Sequence, residues 1–585
     1  MPIDDYYKTQ KLKKPIALGT DIFANMGNAH YVDKTLLVKD IIDSETRVIL
    51  FTRPRRFGKT LAMTMLQTFF EKPLDGKDTS HYFKNLKIWQ AGEKYTSEQG
   101  KRPVISLSLK EVEYSNFQSA CNMIKDKISD EYSRHGELED SSNLDEREKS
   151  LYKRLKDKNA SENEWDASLR YLCTMLEKHY GIKPLLLIDE YDVPLQHAWL
   201  ADNSYFKEMA AFIKKLFSAA LKTNSSLYKG ILTGITRVSK ESVFSGLNNI
   251  IVNTIFDEEF SQYFGFTWEE VRDMFDFYGI SDKLSEAQSW YDGYMFGNTE
   301  IYNPWSVLQY IYRNCIAMAY WVNTSDNALM GEMLSELGKE ELDKLENFVK
   351  GGVIEKDIET NIIFPELKSN PDLIYSLLAQ TGYLKSIRTE PSGNGYHCHL
   401  KIPNREISFI YSDEVIRRFM PDISARQRGK ALLGAIIRGD VRNIQTMMEE
   451  YFIKCCSFMD LTEERDYHNF ILGLLAAVAD GYEVKSNRES GKGRYDIVLK
   501  PHGNRRYLPG IIMEIKYCKP SKSKNPNPKR QQARLEREAN KALEQIEEKQ
   551  YAAEMNAEGI TDIIRYGAAF TGKDAKIIRL NNVQQ

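Results

Sequence analysis

Four near-continuous apolar runs in the first half of the chain, parted by longer helical patterns, restrict its fold most. They are RVILFTRP (Arg47–Pro54), PVISLSL (Pro103–Leu109), KPLLLIDEYD (Lys183–Asp192) and KGILTGITR (Lys229–Arg237). A strand with one wet face alternates polar and apolar residues, whereas a strand apolar throughout is covered on both faces. With helices between them, such strands predict a parallel α/β sheet covered on both sides. A chain of 585 residues exceeds what one core usually supports, so two to four domains are expected.

The first run leads into a phosphate-loop pattern. TRPRRFGKT (Thr52–Thr60) lies between an apolar strand and the helical LAMTMLQTFFEK, where such a loop belongs. Gly58 would let the backbone approach phosphates, Lys59 would reach the β and γ phosphates, and the Thr60 hydroxyl would ligate Mg²⁺. The helix N-terminus adds favourable partial charge. The standard pattern is GxxxxGK[ST], and Arg53 stands at its first Gly position, with Arg55 and Arg56 adding charge. That departure bears on hydrolysis. LLLIDEYD reads as a Walker B strand in which Asp189 would hold Mg²⁺ and Glu190 could polarise the attacking water. ILTGITR ends in Thr233, Thr236 and Arg237, polar groups that could sense a γ-phosphate.

The segment SGKGRYDIVLKP (Ser490–Pro501) places Asp496 just inside a β-type run. LPGIIMEIKY (Leu508–Tyr517) follows a turn at HGNRR. Period-2 geometry puts Glu514 and Lys516 on one face and Ile515 on the other, in the core. Phosphodiester hydrolysis needs divalent metal held by carboxylates. Asp496 and Glu514 supply hard oxygens, the Ile515 carbonyl could add another, and Lys516 would position or deprotonate water and stabilise negative charge. A charged pair on an otherwise apolar strand needs such a reason.

YVDKT (Tyr31–Thr35), RPRRFGKT, LLLIDEYD, GITRVSKESVFSGLNN, WYDGY and YNPWSV together resemble the bacterial AAA-ATPase-like family, whose members usually carry a C-terminal PD-(D/E)XK nuclease-superfamily domain. The resemblance spans nearly the whole chain. It implies a P-loop ATPase of the additional-strand class, with ATP and Mg²⁺ as cofactors. It reads D…ExK as the nuclease signature, with Mn²⁺ as an alternative ion there. On the same basis Glu464 matches the family's helical acidic residue, with Glu463 as runner-up, and Gln545 and Tyr551 resemble further positions lining its site. ATPases of this class often need an arginine from a neighbouring copy, so a homo-oligomer is kept open with Arg237 as a loose candidate.

Other segments carry less chemistry. WYDGY and YNPWS read as aromatic packing of a helical lid. SLLAQTGYLKSI, a helix turning at Gly382 into a strand, is followed by GYHCHLKIPN as its hairpin partner. This could be a winged-helix-like unit, but the helix has few basic residues and reads as a packing or hinge module. HGELEDSSNLDEREKS (His135–Ser150) reads as a surface excursion, and KPSKSKNPNPKRQQAR (Lys519–Arg534) as an exposed or mobile loop. The net charge of −3 says little about partners, so local charge must carry that argument. Lys516, Lys519, Lys522, Lys524, Lys529, Arg530, Arg534 and Arg537 follow the D…ExK site, with Arg505 and Arg506 before it. Such density could neutralise several phosphates of a nucleic acid, with DNA favoured over RNA. The seven cysteines form no CxxC pair, which fits a reducing cytoplasm. The N-terminus lacks an apolar stretch, and FILGLLAAVA from Phe470 is too short to span a bilayer, so no membrane partner is expected.

The expected architecture is α/β throughout: a P-loop AAA-like domain over 1–256, a helical lid over 257–345, a winged-helix-like or helical connector over 346–455, and a PD-(D/E)XK restriction-endonuclease-like domain over 456–585. The alternative is a nucleotide-switched binding module with a degenerate nuclease fold. A weaker third reading is a chaperone-like ATPase acting on protein.

Overall fold

The computed structural model describes residues 14–201, 204–236, 244, 249–321, 352–361, 366–367, 370, 372–393, 395–408, 411, 425–455, 464, 467–468, 471, 475, 482–486, 489–490, 493–501, 508–519 and 528–580. They divide into two compact units, one drawing on Leu12–Gly338 and Val353–Glu406, the other on Ile407–Gln585.

In the first unit, β1 (Val48–Thr52), β2 (Val104–Ser108), β3 (Leu185–Asp189), β4 (Lys229–Gly234) and β5 (Ile250–Asn253) form one sheet in the order β2-β3-β4-β1-β5. All its pairings are parallel. β1, β3 and β4 are buried along their whole length, which is why their sequences are apolar without alternation. β4 lies between β1 and β3, the extra strand that the resemblance implies. β5 was not among the expected strands. It offers only three apolar residues, and Ile251 is exposed, so this edge strand leaves a faint pattern.

The region after Asp257 is less purely helical than expected. Helices Trp268–Tyr278, Leu284–Tyr291 and Pro304–Tyr312 accompany a small antiparallel sheet of β6 (Phe266–Thr267), β7 (Tyr294–Phe296) and β8 (Thr299–Tyr302), ordered β6-β8-β7. The two-residue turn Gly297-Asn298 joins β7 to β8, pairing Phe296 with Thr299, a hairpin connection that Gly-Asn favours. The aromatic motifs pack as core: Tyr291 meets the rings of Tyr310 and Tyr320 at 5.5 and 6.1 Å. Lys34 of YVDKT reaches Glu270 Oε2 at 2.5 Å, tying the N-terminal motif to this region.

β9 (Ile354–Glu359), β10 (Lys385–Ser392) and β11 (Gly395–Lys401) form an antiparallel sheet ordered β10-β11-β9, with helix Asp372–Gln380 leading into the hairpin. The helix, the turn at Gly382 and the hairpin are those expected of SLLAQTGYLKSI and GYHCHLKIPN, while β9 is a third strand that was not expected. The segment His135–Ser150 is not wholly at the surface. It opens on buried His135, held by Glu137 at 3.0 Å, and then enters helix Glu146–Lys156 through a capping box of Asp145 and Glu148.

The second unit contains helices Ala425–Arg438 and Val441–Cys455, β12 (Tyr482–Ser486), the two-residue strands β13 (Glu489–Ser490) and β14 (Gly493–Arg494), β15 (Ile497–Pro501), β16 (Gly510–Tyr517), helix Pro528–Glu548, β17 (Ile563–Thr571) and β18 (Asp574–Leu580). The sheet order is β12-β15-β16-β17-β18. Only β16 and β17 pair in parallel, because the helix between them carries the chain across. That helix begins at Pro528, so residues 528–534 are helical and not loop as expected. Proline suits a first helical position, and Lys, Arg, Gln and Ala sustain the helix. β18 was also not expected, since DAKIIRL is half polar. Gly567 on β17 lets this helix close on the sheet, because a Cβ there would meet the Ala539 carbonyl oxygen at 2.0 Å.

β16 is unequally supported. Only Ile511–Met513 pair with β15, whereas all of Gly510–Tyr517 pair with β17. Of the run from Phe470, Ile471 and Leu475 are among the described residues, and both lie in the core with Ile444, Phe452, Ile515 and Phe570. Among the described residues, no helix is long and apolar enough to cross a membrane.

Candidate functional site

The loop after β1 has the geometry of a phosphate cradle. Gly58 caps helix Lys59–Phe70 with φ at 84°, a left-handed conformation that glycine adopts without steric cost. The Lys59 ammonium is almost fully buried and donates to the carbonyls of Arg53 and Pro54 at 3.2 and 3.1 Å. It lies 3.6 Å from Glu190 Oε1. The Thr60 hydroxyl donates to Asp189 Oδ2 at 2.7 Å, and Thr233 donates to the other carboxylate oxygen. Burial, and then the neighbouring Glu190, push the Asp189 carboxyl above its usual range. Glu190 itself has φ at 55°, a strained backbone of the kind that clusters at working sites. Thus Lys59, Thr60, Asp189 and Glu190 come together, with two carboxylates facing one ammonium. That donor set fits a Mg²⁺–nucleotide.

Arg53 does not enter this cradle. Its side chain is fully buried, donates to the Thr52 and Asn253 carbonyls at 2.8 and 2.9 Å and to the Asn253 side chain, and lies 5.2 Å from the rings of both Phe264 and Phe296. Burial pushes the guanidinium down to about 9, with Asp257 opposing. The residue at the first Gly position therefore ties β1 to β5 and leaves the phosphate side clear. Placing the standard-pattern glycine at this position is expected to harm the fold. Arg53→Gly leaves a cavity and unpaired Asn253 acceptors, a loss of about 2–4 kcal/mol. A chemical denaturation midpoint equal to the parent's would refute this.

In the second unit Asp496 occupies the bend immediately before β15, one position earlier than the strand interior expected. Its Oδ2 accepts from the Ile515 N–H at 2.7 Å, and its own N–H donates to Glu514 Oε2 at 3.3 Å. Glu514 is buried. Lys516 Nζ stands 3.2 Å from Glu514 Oε1 and 3.8 Å from Glu464 Oε1. Glu464 Oε2 also accepts from the Tyr517 N–H at 3.3 Å. Gln545 donates to Glu514 and to the Tyr551 hydroxyl. The six residues taken from D…ExK and the resemblance thus converge. His468, which the sequence reading passed over, brings Nε2 within 3.0 Å of the Asp496 carbonyl. Its signal was its place four residues after Glu464, the spacing of one helix face.

Burial raises Asp496. Burial, and then Asp496, push Glu514 up to about 7. Burial would lower Lys516, but the carboxylates of Glu514, Glu464 and Asp496 outweigh it and hold the ammonium above its usual value. Three carboxylates around one lysine leave surplus negative charge on hard oxygens, which suits Mg²⁺ or Mn²⁺. Without metal, this site should weaken the fold as pH rises. The unfolded carboxyl of Glu514 ionises near 4.5 and the folded one near 7. Between those values the folded state holds more protons at Glu514, so this group lowers stability with rising pH across that window. Glu514→Gln should remove that loss, on the order of 1–3 kcal/mol. Unfolding in EDTA at several pH values measures it, and an unchanged slope in the variant would count against it.

Several expected residues lie outside the described residues: Arg237, Glu463, Arg505, Arg506, Lys522 and Lys524. Lys529, Arg530, Arg534 and Arg537 lie on helix Pro528–Glu548, and Arg534 donates to the Lys519 carbonyl at 2.9 Å.

Comparison with known proteins agrees with both geometries. Residues 17–244 match the family described as Predicted AAA-ATPase, and residues 462–580 match the PD-(D/E)XK nuclease superfamily. The chain is also similar to a protein of Azotobacter chroococcum mcd 1 described as an uncharacterized protein in the vnfD 5′ region. They are 23% identical over 452 residues, covering 75% of this chain and 77% of that one. The chain thus carries an AAA-ATPase-like domain over residues 17–244 and a PD-(D/E)XK nuclease superfamily domain over residues 462–580.

Proposed function

We propose that this protein binds and hydrolyses ATP and uses that cycle to gate a Mg²⁺-dependent nuclease that cleaves nucleic-acid phosphodiester bonds, DNA in preference to RNA. The observation that carries the reading is half-buried Asp496 set against buried Glu514, with Glu464 and Lys516 gathered around them. Asp496, Glu514 and Glu464 offer the metal-binding oxygens. Bound metal would supply Lewis acidity and a more acidic water. Lys516 orients that water and stabilises charge growing on the phosphate. Gln545 and Tyr551 fix the Glu514 carboxylate. In the other domain Gly58 and Lys59 hold phosphates, Thr60 and Asp189 hold Mg²⁺, and Glu190 polarises water. Arg237 serves as γ-phosphate sensor or, in a homo-oligomer, as the arginine given to a neighbouring copy. The boundaries 1–256, 257–345, 346–455 and 456–585 remain our division of these tasks, and the cytoplasm their setting. Gating is supported only by the two domains sharing one chain.

The test incubates the purified full-length chain with labelled duplex DNA, single-stranded DNA and RNA, with Mg²⁺ or Mn²⁺ and with EDTA. Metal-dependent products are expected. No product from any substrate would favour a nucleotide-switched binding module instead.

A further inference from the structure

The hairpin unit carries a cluster that neither nucleotide nor nuclease chemistry uses. We propose that Glu355, His397 and His399 form a site for a divalent transition ion, Zn²⁺ above all, on the outer face of the β9–β11 sheet. One ligand atom from each lies within 4.8 Å of the others. The register explains why. His397 and His399 are two apart on β11, so both imidazoles leave the same face. Glu355 on β9 lies directly opposite His399, and their Oε1 and Nδ1 atoms are 3.6 Å apart. Cys398 between the histidines points the other way and is fully buried, so the ligand set is imidazole and carboxylate, not thiolate.

A second contact supports a metal role. Asp357, opposite His397 in the same register, lies 2.8 Å from its Nδ1. A carboxylate on one ring nitrogen fixes the tautomer and turns the other nitrogen toward a metal. Two imidazoles with one carboxylate suit Zn²⁺ and its neighbours better than Mg²⁺. Bonds of about 2.0–2.1 Å bring tetrahedral ligand atoms to roughly 3.3 Å apart, a closure that rotation of these partly exposed side chains allows. Cross-strand pairs of this kind also occur as plain ion pairs, so stoichiometry must decide. The ion would bridge β9 to β11 and hold the hairpin unit in one register.

The experiment titrates the full-length, EDTA-stripped protein with Zn²⁺ against a chromogenic chelator, and repeats it with Co²⁺ while reading its visible absorption. The Asp496→Asn and Thr60→Ala variants are measured alongside, since under the proposed function those sites would also take divalent ions. One equivalent of tight Zn²⁺ binding is expected in the parent and in both of those variants. His399→Ala should abolish it. Asp357→Ala should weaken it about 10- to 100-fold. None of the four substituted side chains belongs to the buried hydrophobic core, and thermal melts without metal check that the fold is kept. Tight binding with equal affinity in His399→Ala overturns the proposal, as does the absence of a tight equivalent in the parent.

Discussion

Lys516→Ala is expected to slow metal-dependent cleavage by about 10²–10⁴-fold, the usual worth of a positioned proton-transfer or charge-stabilising group. The geometry explains the size. Lys516 is the cation beside Glu514 at 3.2 Å and Glu464 at 3.8 Å, so under the proposed function its removal would take away the group facing charge that develops on phosphate. Asp496→Ala should differ in kind. It removes a carboxylate that accepts from the Ile515 N–H and stands against Glu514, so the site should lose both turnover and Mn²⁺ affinity. Lys516→Ala should keep Mn²⁺ binding while losing rate. Cleavage by either variant at the parent's rate would sink the assignment, and a shared loss of melting temperature would expose mere unfolding.

Lys59→Ala is expected to lower ATP hydrolysis by about 10²–10³-fold, the cost of removing one preorganised donor from a developing charge. Nucleotide affinity should fall with it. In the structure the ammonium rests on the Arg53 and Pro54 carbonyls and near Glu190, already inside the loop that phosphates would fill. Fluorescent-nucleotide binding and phosphate release measure the two effects. The same variant tests coupling. If ATP changes the parent's cleavage rate and changes that of Lys59→Ala equally, the gate is wrong even though both sites work.

What sequence made legible follows from burial. β1, β3 and β4 are buried on both faces, so they write themselves as apolar runs, and the chemistry at their ends stands out against them. Glu514 and Lys516 are visible for the same reason, as charges inside an apolar strand. β5 and β18 lie at sheet edges, where solvent tolerates polar residues and the pattern fades. The β7–β8 hairpin hid behind an aromatic density that reads equally well as helix. The role of Arg53 was invisible because a loop arginine gives no sign of which way it turns. Only the fold brings Asn253, 200 residues on, within its reach. His468 was missed because a lone histidine in a helical pattern is usually packing.

The uneven support of β16 has a consequence for how the protein is made. Its Glu514–Lys516 portion pairs with Gly567–Ala569 of β17, a partner separated from it by the whole helix Pro528–Glu548. Such long-range parallel pairing closes late, because the entropy of the intervening loop must be overcome first. A ribosome-bound chain that has emerged only as far as that helix therefore holds Glu514 and Lys516 on an open strand edge, with Asp496 nearby but the charges unset. The Asp496–Glu514–Lys516 site would be completed only when β17 (Ile563–Thr571) arrives, so a product truncated before β17 should show no metal-dependent cleavage even though it already carries the basic helix Pro528–Glu548.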